Sequence, residues 1–187
     1  MKNRNFEEDL KNSNNPQLRK SWETLLQKKF GNDIEISWKD SREIQNIGAD
    51  LVIKTGKGRR YSIETKTRNN KCFQDPKWIM EIISHVYNQE APPRKHLHSK
   101  EGWIYTTTAE YILHGTLNKE GTEVIEAIFY SLIPFKTEKY KSEFNKYEAC
   151  WFSTLYSNGN FQLTLNKLIP LEVIKKDALE FWQRVKE

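Results

Sequence analysis

The chain has 187 residues, of which 37% are hydrophobic, 12% aromatic and 29% charged. This length predicts a single domain with its own core, and the aromatic content excludes an intrinsically disordered chain. Thirty Lys and Arg residues against 25 Asp and Glu give a net charge of +5 and an isoelectric point near 9.0, which favours a polyanionic partner.

The cysteine content and the lack of long apolar runs predict the cellular compartment in which the protein is found. Cys72 and Cys150 are too few for a disulfide framework, which favours a reducing environment. The opening segment "MKNRNFEEDLKNSNNP" has no apolar stretch of the kind found in secretory signals, and no run of 18 apolar residues occurs. We therefore expect an intracellular, cytoplasmic protein with no membrane partner, of a composition compatible with a bacterial, phage or viral source.

The first half of the chain reads as a loose lead-in over residues 1–15, a helix, and three strands. Asn15-Pro16 has the pattern of a helix start and Gly31 that of a helix end. The apolar stripe of this helix comprises Leu18, Trp22, Leu25, Leu26 and Phe30, with Glu23 at its border. "IEISW" (34–38) predicts a strand, and "ADLVIKT" and "RRYSIETKT" predict a hairpin around a Gly-Lys-Gly turn.

The second half alternates less clearly between helix and strand patterns. "DPKWIMEIISHVYN" (75–88) predicts a helix that starts at Asp75-Pro76, followed by a loop over 91–102 and a strand over 102–108. "EVIEAIFYSLI" fits either helix or strand, "FQLTL" predicts a strand, and "ALEFWQRVKE" predicts a closing helix. Helices alternating with strands in this order predict an α/β fold, with helices packed on a mixed central sheet.

Glu64 is the most informative residue, because it is the one acid among seven basic residues between Lys54 and Lys71. Alternation along a strand puts Glu64 and Lys66 on one face, roughly 6.5–7 Å apart. Asp50 lies opposite Glu64 if paired positions in the hairpin sum to 114, which centres the turn on Lys57. An even-length loop would turn Asp50 to the other face unless a bulge or a bend at Gly48 corrects it. Two carboxylates near a phosphate oxygen are a common way to hold Mg²⁺, which would also let these acids approach a polyanion.

"GADLVIKTGKGRRYSIETK" has Asp50, then thirteen residues, then Glu64-Thr-Lys66. This pattern resembles the PD-(D/E)XK nuclease superfamily, whose fold is restriction-endonuclease-like, and the resemblance covers about residues 16–108. It implies that Asp50 and Glu64 bind Mg²⁺, with Mn²⁺ as a substitute, and that Lys66 assists the attacking water. Glu23 matches the acid that the first helix of many members contributes, and Ala49 stands in place of the name-giving proline.

Other residues could support such a site. Gln45 matches a polar residue that several members place before the metal-binding aspartate, and Glu43 is an alternative to Glu23. Basic residues expected to contact phosphates are Lys57, Arg59, Arg60, Arg68, Arg94 and Lys95. The histidines form no complete zinc pattern and read as loop or surface residues. The aromatic and lysine-rich stretch 135–152 fits an amphipathic core segment better than a base-stacking surface.

The resemblance therefore implies a metal-dependent nuclease, with an endonuclease favoured over an exonuclease and DNA over RNA. A homodimer is compatible with it, because cutting both strands requires two sites. Two alternatives remain open: a nucleic-acid-binding protein that has lost catalysis, and a basic protein-interaction module. For the pair Glu64 and Lys66 taken alone, the simplest interpretation is an exposed ion pair that contributes little stability.

Overall fold

The protein is described by a computed structural model. The described residues are 4–5, 15–38, 49–68, 77–88, 95–137, 142–143, 145–155, 160–176 and 178–183. They form a mixed α/β protein that consists mostly of strand, with two sheets and few helices. The Cα positions divide into two compact units. We call residues 15–76, 107–134 and 171–187 the α1 unit, and residues 1–14, 77–106 and 135–170 the β5 unit.

Helix α1 spans Pro16–Phe30 and has the ends that the sequence predicts. The side chain of Asn15 accepts a hydrogen bond from the Gln17 amide at 2.9 Å, which caps the first turn. Gly31 ends the helix at a positive φ of 87°, and its amide donates to the Gln27 carbonyl. The predicted apolar stripe is confirmed at its centre, because Trp22 and Leu26 are both buried.

The α1 unit contains a six-stranded sheet. Its strands are β2 (Ile34–Trp38), β3 (Leu51–Thr55), β4 (Arg60–Arg68), β7 (Tyr111–Leu117), β8 (Val124–Ser131) and β11 (Ala178–Gln183). The spatial order is β11-β8-β7-β4-β3-β2, and β4 with β7 is the parallel pair. The short helix α3 (Leu171–Lys176) precedes β11.

Helix α1 covers one face of this sheet and encloses a core with it. Leu51, Ile53 and Ile63 from the β3–β4 hairpin are fully buried against the helix residues of the same cluster. Gly115 in β7 lies directly under Trp22, since a Cβ at this position would be only 2.3 Å from the indole ring. The missing side chain therefore makes room for the largest residue of the core.

The β5 unit contains a five-stranded sheet. Its strands are β1 (Arg4–Asn5), β5 (Lys77–Asn88), β6 (Lys95–Glu101), β9 (Ala149–Leu155) and β10 (Asn160–Pro170), in the order β1-β9-β10-β5-β6. The short helix α2 (Trp103–Thr106) follows β6, and a 3₁₀ turn spans Pro134–Lys136. Strand β10 confirms the prediction for "FQLTL", and β8 resolves the ambiguous segment as strand.

The helix predicted over 75–88 is wrong, because residues 77–88 form strand β5. The helix prediction put Ile79 and Ile83 on a buried face, but both side chains are exposed in the strand, at 41% and 37%. A long antiparallel ladder with β10 stabilises the extended chain. The β-branched residues of this segment also favour a strand.

Three further predictions in the second half are wrong. The loop predicted over 91–102 contains strand β6, and the strand predicted over 102–108 begins with helix α2. A Cβ at Gly102 would be 2.2 Å from the Glu81 carbonyl oxygen, so the chain leaves the sheet at a close backbone contact. The predicted closing helix is strand β11 over its described part, because it pairs with β8. The predicted order helix–strand–hairpin–helix–strand therefore holds only up to the hairpin.

No helix among the described residues combines the length and the apolar character needed to cross a membrane.

Candidate active site

The β3–β4 hairpin has the register that brings Asp50 next to Glu64. Leu51 pairs with Ile63 and Lys54 with Arg60, so paired positions sum to 114 and the turn is centred on Lys57. Gly58 takes a positive φ of 79°, and its amide donates to the Thr55 carbonyl at 2.8 Å. This is the geometry of a three-residue hairpin loop that ends in a left-handed glycine, and its odd length sets the register.

Asp50 precedes β3, and its carboxylate is held on the β4 segment that carries the predicted motif. Asp50 Oδ2 accepts hydrogen bonds from the backbone amide and from the hydroxyl of Thr65, both at 2.7 Å. The Asp50 amide donates to the Ile63 carbonyl at 3.0 Å, so backbone and side chain fix the residue together. Among the described residues no hydrogen bond to Asp50 Oδ1 is formed. The carboxylate is therefore anchored through one oxygen, beside the residue that separates Glu64 from Lys66.

Glu64 and Lys66 form an ion pair, with Lys66 Nζ 2.5 Å from Glu64 Oε1. The Glu64 side chain is only 8% exposed and that of Lys66 is 33% exposed. The exposed surface pair considered from sequence alone is therefore not what the chain forms. Burying a carboxylate costs free energy unless a cation and hydrogen bonds compensate, and Lys66 provides that cation here.

Glu23 lies at the same end of the sheet as Asp50, on helix α1. Its Oε1 accepts a hydrogen bond from Trp38 Nε1 at 2.8 Å, and Trp38 is paired with Leu51, the residue after Asp50. The guanidinium of Arg19 lies 5.0 Å from the Trp38 ring on the same side. One carboxylate oxygen of Glu23 therefore already accepts a bond from an indole, on the side of the sheet that helix α1 covers.

The carboxylates suit a hard divalent cation. Mg²⁺ is usually bound by one or two carboxylates, and it keeps several waters. No group of three His, Cys, Asp or Glu residues that could hold a metal ion occurs in the described ranges, so Asp50, Glu64 and Glu23 do not together form such a group.

His114 and Tyr130 are two residues near the site that the sequence analysis missed. His114 in β7 pairs with Lys66 across the parallel ladder, on the face that carries Glu64, and it is buried. The Tyr130 hydroxyl lies 3.5 Å from His114 Nδ1. Burial raises the pKa of Tyr130 well above its usual value near 10, so the phenol stays protonated at neutral pH and can donate this bond. His114 was expected in a loop or at the surface, and only the β4–β7 pairing brings it beside Lys66.

Within the α1 unit, the residues predicted to bind phosphate lie at two separate places. Lys57, Arg59 and Arg60 are exposed at the turn of the hairpin, roughly 13 Å or more along β4 from Glu64. Arg68 lies within β4, whereas Lys95 begins β6 in the β5 unit.

Three residues of the predicted site, Arg94, Gln45 and Glu43, lie outside the described residues. In the aromatic stretch, Phe135 is buried whereas Trp151 is 46% exposed, so the stretch is not one core stripe.

Comparison of the chain with protein-family models, with curated proteins and with solved structures gives no match.

Proposed function

We propose that the protein is a metal-dependent nuclease of the PD-(D/E)XK type, which hydrolyses phosphodiester bonds in nucleic acid. The observation that carries this proposal is that the Asp50 carboxylate is hydrogen bonded to Thr65, the residue between Glu64 and Lys66 in the sequence. The register of the hairpin brings the Asp50 backbone alongside the segment that carries Glu64 and Lys66. We favour DNA as the substrate, endonucleolytic cleavage and an intracellular location, as the resemblance and the composition imply.

Each residue of the motif has a role that follows from its charge and surroundings. Asp50 and Glu64 would hold Mg²⁺, since both offer carboxylate oxygens at one end of the hairpin. The cation would stabilise the negative charge that develops on the phosphate during hydrolysis. Lys66 would orient the attacking water and share in stabilising that charge, because its ammonium already lies at the Glu64 carboxylate. Glu23 would support the metal or the water from helix α1.

A restriction-endonuclease-like fold is part of the proposal and rests on the α1 unit. Helix α1, the β2–β3–β4 segment and a parallel partner for β4 follow the order that this fold begins with. Strand β5 stands where a second helix of that fold is expected, so residues 77–106 would replace that helix in the crossover between β4 and β7. The site residues Asp50, Glu64 and Lys66 all belong to the α1 unit.

The test is cleavage of labelled single- and double-stranded DNA and RNA in the presence of Mg²⁺, Mn²⁺ or EDTA. We expect cleavage with either metal and none in EDTA. Glu64→Gln and Lys66→Met should each lower the cleavage rate at least a hundredfold, the lower end of what one such group contributes. Glu35→Gln and Lys54→Met are matched controls, because they remove the same charges at exposed positions of β2 and β3.

Two results would contradict the proposal. Cleavage that survives Glu64→Gln or Lys66→Met would place the chemistry elsewhere. Binding of nucleic acid that is equally tight in EDTA, with no cleavage by the native protein under any metal, would instead favour a binding protein that has lost catalysis. Little salt-sensitive affinity for any nucleic acid would favour a protein-interaction module, because binding to phosphates weakens steeply as salt rises.

A further inference from the structure

The α1 unit has an open cavity of about 390 Å³ at the turn end of the β3–β4 hairpin, away from the carboxylates of the candidate active site. It lies between the end of helix α1, the start of β2 and the hairpin turn. The side chains that matter for binding are those of Lys29, Phe30, Asp33, Lys57, Arg59 and Tyr61. A volume of this size is within the range of cavities that bind small molecules.

Asp33 gives the cavity a pair of hydrogen-bond acceptors. Its carboxylate lies over Gly56, where a Cβ would be 1.8 Å from Oδ2, and the Gly56 amide donates to the Asp33 carbonyl at 3.0 Å. In the described part of the chain Asp33 forms no ion pair with the cations of the same cavity. Asp33 is exposed and its carboxylate lies against Gly56, so its oxygens are available to a ligand that donates two hydrogen bonds.

The cations of the cavity differ in how they are engaged. Lys29 Nζ lies 2.7 Å from Glu180 and donates to the Leu179 carbonyl at 3.0 Å, so its charge is already compensated. Lys57 and Arg59 are exposed at the turn. These two residues can contact an anionic group, and the guanidinium of Arg59 can do so with two N–H donors.

Aromatic rings line the same cavity. The ring centroids of Phe30 and Tyr61 are 4.7 Å apart, and the Arg59 guanidinium lies 4.9 Å from the centroid of Tyr61. A guanidinium over a phenol ring offers a surface on which a nucleobase can stack. The cavity therefore combines a planar surface, two cations and one carboxylate.

We propose that this cavity binds a guanine nucleotide, either free or as one residue of a nucleic-acid strand. Guanine presents two adjacent donors, N1–H and the 2-amino group, which match the two oxygens of the Asp33 carboxylate. Its phosphate would lie against Lys57 and Arg59, and its base would stack on the Arg59–Tyr61 pair. An acidic peptide would satisfy the cations but be repelled by Asp33, and a basic peptide would meet the reverse problem.

The proposal goes beyond the proposed nuclease function and does not depend on it, because this cavity is separate from Asp50, Glu64 and Lys66. Binding can therefore be measured in EDTA, where metal-dependent cleavage does not occur. Calorimetric titration with GMP, AMP and IMP should give the tightest binding for GMP, by about tenfold or more over AMP. IMP, which lacks the 2-amino group, should lie between them.

Asp33→Asn replaces one acceptor by a donor and should abolish the preference for GMP while leaving AMP binding unchanged. Arg59→Ala should weaken GMP and AMP binding by the same factor, and Glu35→Gln, an exposed acid on the adjoining strand, should change neither. Gly56→Ala is a second route to the same result, because its Cβ would displace the Asp33 carboxylate. Titration with short single-stranded oligonucleotides that contain or lack guanine tests whether the cavity binds a guanine residue of a strand as well as the free nucleotide. A preference for guanine in either the mononucleotide or the oligonucleotide supports the proposal.

Three results would overturn it. The first is that the native protein binds GMP and AMP with equal affinity, or binds neither the mononucleotides nor the oligonucleotides measurably. The second is an Asp33→Asn variant that keeps the native preference. The third is nucleotide binding that depends only on phosphate and salt, which would leave Asp33 without a role.

Discussion

The hydrogen bond between the Thr65 hydroxyl and Asp50 is the contact whose removal tests the site geometry most directly. Thr65→Val removes the hydroxyl without changing the shape of the side chain, and it keeps the backbone amide that also donates to Asp50 Oδ2. A hydrogen bond to a charged group contributes about 1.5–3 kcal/mol to stability. Asp50 and Thr65 are both half-buried, so the lower end of that range, about 1.5 kcal/mol, is expected.

The assay is urea unfolding at pH 7 of four proteins: native, Thr65→Val, Asp50→Ala and the double variant. The coupling free energy between the two sites should be about 1 kcal/mol or more, because each single substitution removes the same contact. Thr67→Val is the matched control. It changes the next threonine on the same side of β4, for which the described residues provide no hydrogen-bond partner, and it should leave stability within about 0.5 kcal/mol of native. A coupling free energy near zero would show that the carboxylate is not bound to Thr65, and the proposed site would lose its central contact.

Three further predictions concern the core and the buried polar groups. Gly115→Ala should lower the free energy of unfolding by about 1–3 kcal/mol, because the added methyl group overpacks against Trp22. A free energy of unfolding equal to that of the native protein would refute the close contact. Tyr130 is neutral when folded but ionises near pH 10 when unfolded. Native stability should therefore fall above pH 10 by up to about 1.4 kcal/mol per pH unit, and Tyr130→Phe should remove that part of the slope in alkaline urea titrations. The double variant Glu64→Leu/Lys66→Met should be at least as stable as the native protein but unable to cleave nucleic acid. A free energy of unfolding in urea that is several kcal/mol below the native value would show that the pair is structural.

The parts of the fold that the sequence predicts correctly are those specified by neighbouring residues. Asn15-Pro16 and Gly31 define helix α1 through contacts within its own first and last turns. The Gly-Lys-Gly turn fixes the length of the hairpin loop, and the length of the loop fixes which side chains share a face. The proximity of Asp50 to the Glu64–Lys66 segment follows from local turn geometry, so it could be anticipated without knowing the rest of the sheet.

The parts that were predicted wrongly depend on partners far along the chain. Residues 77–88 have apolar spacing that fits a helix, but they pair with β6 on one side and on the other with β10, which lies more than seventy residues later. Residues 178–183 have favourable helix propensity, but they lie at the edge of the six-stranded sheet and hydrogen bond to β8. Intrinsic propensities differ by less than 1 kcal/mol per residue, so a ladder of backbone hydrogen bonds and buried side chains outweighs them.

The burial of Glu64 argues for a role in function more strongly than its place in a sequence motif does. A carboxylate that is 8% exposed and paired with a lysine gains little net stability over an apolar pair of the same size, because removing the carboxylate from water costs about as much as its attraction to the lysine returns. Ile112, its neighbour across the β4–β7 ladder, shows that an apolar residue is accommodated on the same buried face. A chain under selection for stability alone would gain from an apolar residue at position 64. Keeping a carboxylate there, in the strand segment to which Asp50 is bound through Thr65, is consistent with a requirement for negative charge at this end of the hairpin, and binding a cation is a function that such charge serves.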